Sequence, residues 1–148
     1  MPTSTRFAVA IHSLASMAVC GNKPMRSEDL AASASTNATV IRSLLSRLSE
    51  AGLTASQMGA GGGASLAKPA AQIRLLDVYR AVEDSKIFAM HRCPPNQDCL
   101  VGRNIQDAMR PALEQARGAL EKELAAVTIA DIAAEIARLG KFTLPLSG

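Results

Sequence analysis

Apolar residues near the start of the chain recur at helical steps, Phe7, Ile11, Leu14 and Ala18, and this spacing predicts a helix with one face turned to a core. Gly21-Asn22-Lys23-Pro24 should end it, since glycine and asparagine tolerate positive φ and proline cannot extend the hydrogen-bond ladder. Ser27 is then expected to cap a short helix, with Glu28 and Asp29 set against its positive end and Leu30 and Ala31 facing inward. The small residues Ala32, Ser33 and Ala34 would let another helix come close. Thr36 or Asn37 caps the next helix, whose stripe Val40, Ile41, Leu44, Leu45 and Leu48 runs up to Gly52. Its opposite face carries Thr39, Arg42, Ser43, Ser46 and Arg47.

After that helix the pattern shortens. Leu53-Thr54-Ala55-Ser56-Gln57 and Ala64-Ser65-Leu66-Ala67-Lys68 read as two short strands, joined by Met58-Gly59-Ala60-Gly61-Gly62-Gly63 and anchored inward by Leu53 and Leu66. Farther on, Ile105, Met109, Leu113, Ala116, Leu120, Leu124 and Val127 advance by threes and fours, the seam of two packed helices. Pro111 should kink that helix or mark the start of a second segment. Thr128 can cap a last helix from Ile129 to Leu139, ended by Gly140. A stripe about twenty residues long is more than one small domain can cover, so it predicts a twofold dimer.

The fold class predicted is therefore mainly α: a winged helix-turn-helix domain with a small β-hairpin wing, plus a long C-terminal dimerisation helix. Its expected divisions are residues 1–83 for the DNA-binding domain, 84–99 for a cysteine-containing loop and 100–148 for the dimerisation helices.

Composition adjusts this picture in three places. Aromatic residues are only 3% of the 148 and Trp is absent, which disfavours a single-strand or RNA binder that stacks bases on exposed rings. Residues 1–68 hold six basic and three acidic groups, whereas residues 69–148 hold ten of each, so the whole excess of +3 lies in the first half. A phosphate backbone would meet that half first. The opening apolar run is interrupted by His12, Ser13 and Ser16, which favours a buried helix over a secretory signal, and no segment has the uninterrupted length of a membrane span. A cytoplasmic protein with mostly reduced cysteines is expected, without a membrane partner.

The polar face of the second helix of the pair suits base reading, because short hydroxyl and amide groups reach base edges and arginines pair with guanine or phosphate. The glycine run does not fit a phosphate cradle. A P-loop needs Lys and Ser or Thr directly after its last glycine, and here Ala64 and Ser65 follow. Catalysis finds no support: His12 lies in a core-like helix and His91 in a loop, neither beside a triad pattern, and Glu83-Asp84 reads as a solvated helix end.

Four blocks, Thr5-Arg6-Phe7-Ala8-Val9-Ala10-Ile11-His12, Val40-Ile41-Arg42-Ser43-Leu44-Leu45 with Ala51-Gly52-Leu53, Gly61-Gly62-Gly63-Ala64-Ser65-Leu66-Ala67, and Ile73-Arg74-Leu75-Leu76-Asp77-Val78-Tyr79-Arg80-Ala81-Val82-Glu83, resemble the Rrf-two family of bacterial transcription regulators. The resemblance spans nearly the whole chain. It implies a homodimer that regulates transcription, as a repressor or an activator, from a palindromic site in double-stranded promoter DNA. Carried over by position, the recognition helix runs from Asn37 to Ala51, with Thr36, Asn37, Thr39, Arg42 and Ser43 facing DNA. Ser27, Arg47, Gln57, Gly59 and Gly61 complete the expected DNA-binding set. Family members often carry arginine before the first wing glycine, and here that position is Met58, so sequence preference should rest on the helix.

Cluster-binding members place three cysteines in the loop before the long helix. This chain has Cys93 and Cys99 there, and a further step of the same length lands on Ile105. A cluster in one chain needs four ligands, so no iron–sulfur cluster or other cofactor is expected. The run Asn96, Cys99 and Val101-Gly102-Arg103-Asn104-Ile105-Gln106 resembles the subgroup without the cluster. A zinc site of His91, Cys93 and Cys99 lacks a fourth ligand. Cys93 and Cys99 stay open as inert thiols or as a redox pair, answering to an oxidant or small-molecule effector. A winged-helix scaffold dimer that does not read DNA is the competing class.

Overall fold

The computed structural model describes residues 4–84 and 86–146. Helix α1, Arg6–Val19, buries Ala10, Leu14 and Met17 completely, while Phe7, Ile11 and Ala18 are only partly covered. The buried line is thus displaced from the expected stripe, because α1 is packed on several sides by other helices and by the hairpin, not on one face alone. His12, which interrupts the apolar run, is exposed, and its Nε2 lies 2.8 Å from Ser33 Oγ. The helix ends as the sequence predicts, with Gly21 at φ +72° and Asn22 at φ +60°.

Helix α2 spans Ser27–Ala34 and α3 spans Ala38–Glu50. Ser27 is not the cap. Arg26 holds that position and no side chain bonds the first amides, so Ser27 is the first helical residue. Ser35, left-handed at φ +53°, turns the chain, and Asn37 then caps α3 by accepting a 2.9 Å hydrogen bond from the Val40 N–H at Oδ1. That settles the choice between Thr36 and Asn37. Leu30 and Ala31 of α2 and Ile41, Leu44 and Leu48 of α3 enter the core with α1, whereas Val40 stands at the edge, 37% exposed.

Strands β1, Thr54–Gln57, and β2, Gly63–Leu66, form an antiparallel hairpin with Thr54 opposite Leu66 and Gln57 opposite Gly63. Leu53 and Leu66 are both buried beneath it. Its root is braced from outside. Met25 exchanges backbone hydrogen bonds with Ala64 at 2.9 and 2.8 Å, and the Asn22 side chain accepts from the Leu66 N–H at 2.6 Å while donating to the Leu66 carbonyl at 3.2 Å. Only glycine fits at Gly63: φ is +152° and a Cβ there would sit 2.5 Å from the Met25 carbonyl oxygen.

Helix α4, Leu75–Val82, leads through residues 83–99 to α5, Leu100–Ala125, and then to α6, Ile129–Gly140. Thr128 and Asp131 cap α6 reciprocally, with bonds of 3.1 and 2.9 Å, and Lys141 at φ +57° turns the chain just past Gly140. Ile129, Ala133 and Ala137 are buried, and α6 packs on α1. Pro111 does not begin a new segment, since α5 continues through it. No residue of α5 is buried, so water can satisfy the one carbonyl that proline leaves without its donor. None of the helices of the described residues is long and apolar enough to cross a membrane.

Candidate nucleic-acid interface

The α2–turn–α3 unit places Thr39, Arg42, Ser43 and Ser46 exposed on one side of α3, with Asn37 exposed at its start and Thr36 half-buried before it. The stripe Ile41, Leu44 and Leu48 fixes that orientation, since burying it leaves the polar side no choice but solvent. Ser27, Arg42, Ser46, Ser49 and Ser56 line one concavity of about 420 Å³, bringing the start of α2, the face of α3 and β1 together. Ser49 and Ser56 escaped sequence reasoning because they belong to different elements and meet only in the fold. Glu50 lines the same concavity and would repel phosphate at that end.

Charge at the face is partly engaged. Arg42 donates to Glu28 Oε1 at 3.1 Å, and Arg26 lies 3.6 Å from the other Glu28 oxygen. The Glu28 carboxyl is held below its ordinary range by its own backbone N–H and by these guanidinium groups. Arg47 departs from the expected set. It turns away from the open face toward the end of α4, donating to Asp84 at 2.7 Å and to the Val82 carbonyl at 3.3 Å. Arg6 joins the same cluster, 3.5 Å from Glu83 and 3.6 Å from Asp84. The Glu83 side chain is only 10% exposed, so the pair is not simply a solvated helix end; Asp84 does remain largely exposed. The Asp84 carboxyl is lowered first by its bond from Arg47.

Gln57, Met58, Gly59 and Gly61 are exposed at the hairpin tip, with Gly59 and Gly61 at positive φ and Met58 92% exposed. Away from this surface, Cys99 is the residue before α5, where the N–H groups of Gly102 and Val101 hold its thiol below the usual range. Cys93 and Cys99 are both exposed and unbridged. Among the described residues no three His, Cys, Asp or Glu side chains converge as a metal site, and the two loop cysteines are too few donors to fit an iron–sulfur cluster within this chain.

A short helix, a turn, a capped helix with a polar face and a hairpin beside it define a winged-helix DNA-binding regulator. The chain belongs to the Rrf2 family, described as "Iron-dependent Transcriptional regulator", whose match runs over residues 3–135. It is 40% identical over 130 residues to YwnA of Bacillus subtilis (strain 168), a candidate HTH-type transcriptional regulator, covering 87% of this chain and 95% of that protein. A crystal structure of a candidate DNA-binding protein is similar at 39% identity and a TM-score of 0.69, covering 86% of this chain and 97% of the other. The fold is also that of T. potens IscR, at 21% identity and a TM-score of 0.71 over 100% of this chain and 94% of that one. The chain is a transcription regulator of this family and not an enzyme.

Proposed function

We propose that the chain acts as a homodimer on a palindromic site in double-stranded promoter DNA, as a cytoplasmic repressor. The observation that carries DNA reading is the open polar face of α3, with Asn37, Thr39, Arg42 and Ser43 beside the exposed hairpin tip. Major-groove reading needs this: a helix face free of core contacts, with amide and hydroxyl groups near its start and a guanidinium one turn on. Ser27 at the start of α2 is suited to a phosphate, and Gln57, Gly59 and Gly61 to backbone contact by the wing. Dimerisation is supported by α5, a 26-residue helix none of whose residues is buried in the single chain.

The regulator works without an iron–sulfur cluster in this reading, because the donor set around Cys93 and Cys99 is too small for one. A second reading adds a thiol switch. The amides of Val101 and Gly102 favour the Cys99 thiolate, the form that attacks a disulfide or an oxidant.

Selection of bound duplexes from a random pool, followed by affinity measurement against salt, tests the proposal. Enrichment of a palindrome, with affinity falling steeply as salt rises, is expected. Equal and weak binding to every duplex would replace the proposal with a scaffold dimer, and a monomer by sedimentation would remove the palindrome.

A further inference from the structure

A cavity of about 500 Å³ lies between α4, the segment 86–90 and the middle of α5. Tyr79, Phe88, Met90 and Leu113 give it apolar and aromatic walls. Its volume falls within the range of small-molecule sites. Lys86, Arg110 and Arg117 line it against the two carboxylates Glu114 and Glu121, so its lining carries one positive charge in excess. Arg117 is 3.4 Å from Glu121, and Arg110 is 2.6 Å from Asp107. The Asp107 side chain is 80% exposed, and so solvated a pair holds its arginine weakly, leaving Arg110 able to turn to an anion.

The cavity touches the helices that hold the DNA-facing unit. Asp84, two positions before Lys86, is the group that holds Arg47 of α3 at 2.7 Å and lies 3.6 Å from Arg6 of α1. Tyr79 meets Phe7 of α1 edge to face, with ring centroids 5.4 Å apart. A ligand that favours one placement of residues 86–90 therefore biases the contact between Asp84 and the recognition helix.

We propose that this cavity binds an aromatic monoanion, a ring system bearing one carboxylate or sulfonate, and that its occupancy is passed to α3 through Asp84. The second half rests on the regulator reading; the first does not. Two rings and an aliphatic wall match an aromatic body, and the cationic excess matches one negative charge.

The full-length protein is titrated with 1-anilinonaphthalene-8-sulfonate by fluorescence, with calorimetry for stoichiometry. One saturable site per chain is expected, weakened about tenfold by Lys86→Glu and by Phe88→Ala. Glu114→Gln should tighten it, a gain that a damaged fold would not give. A naphthalene carboxylate should displace the probe and a naphthalene amine should not. Absence of a saturable site, indifference to all three substitutions, or equal displacement by the amine overturns the cavity proposal, as does a cavity closed to the probe by a second copy of the chain. For the coupling, saturating probe should change affinity for a selected duplex about fivefold or more in the native chain and leave it unchanged in Asp84→Asn, which still binds probe. An unchanged affinity in the native chain overturns the coupling. A chain that binds no duplex ends the regulator reading and the coupling with it, while the probe titration still decides the cavity.

Discussion

Arg42→Ala removes the one guanidinium that α3 presents on its open face, since Arg47 is turned to Asp84. In the free protein Arg42 is held 3.1 Å from Glu28, with its side chain 58% exposed, so that contact must break before the arginine reaches a duplex. If the guanidinium reads a guanine, its loss should cost about 1–3 kcal/mol, or about 5- to 150-fold in Kd, and should relax preference at one base position. If it meets a phosphate instead, affinity falls evenly across sequences and the salt slope drops by about 1. Glu28→Gln works in the opposite direction. It releases Arg42 and removes a negative charge from a surface that meets phosphate, so the selected duplex should bind more tightly. Part of that gain must vanish in the Arg42→Ala background, which a double-mutant cycle on duplex affinity measures. Unchanged binding by Arg42→Ala on the selected duplex, or weaker binding by Glu28→Gln, would refute the reasoning.

Three further outcomes follow from the geometry. Asn37→Ala removes the α3 cap and should lower stability by about 1 kcal/mol, a fall in Tm of roughly 2–4 °C, while Asn37→Asp retains it; equal melting of all three proteins would show the cap contributes nothing. Gly63→Ala should press on the Met25 carbonyl and break the Met25–Ala64 pairing, read as faster amide hydrogen exchange at Met25 and Ala64 without loss of the helical core. The Cys99 thiolate is favoured by the amides of Gly102 and Val101, so its alkylation rate should rise with pH through a midpoint below the ordinary thiol value and move up to that value on denaturation; a midpoint identical in both states would remove the second, thiol reading.

Most local devices were legible in the sequence because their partners lie within a few residues. The α3 cap, narrowed to Thr36 or Asn37, the Thr128 cap of α6 and the turn at Gly21 and Asn22 follow from residue type and spacing, whereas Ser27, read as a cap by the same rule, is the first residue of α2. Leu53 and Leu66 were readable as anchors because each is the one large apolar residue in a run of small and polar residues flanking the glycine tip. What escaped depends on distant partners. Arg47 sits on the polar side of α3 like a DNA contact, and only the packing of α4 brings Asp84, 37 residues away, within its reach. His12 interrupts the apolar run of α1, and only the approach of α2 supplies Ser33 as its exposed partner. The cavity beside α5 has no linear signature, because its walls come from a helix, a loop and another helix far apart in the chain.

The bracing of the hairpin root bears on the entropy of engaging DNA. Asn22 and Met25 already hold β2 in place, so the strands give up little freedom when a duplex arrives. What remains to be ordered is the tip between them, residues 58–62, and the Gly62 N–H bond to the Gly59 carbonyl at 3.0 Å has begun even that. At about 1–2 kcal/mol of backbone entropy per residue, fixing five residues opposes binding by about 5–10 kcal/mol at most. A wing loosened at its root would add the strand residues to that sum, and the contacts of the recognition helix would have to offset the difference.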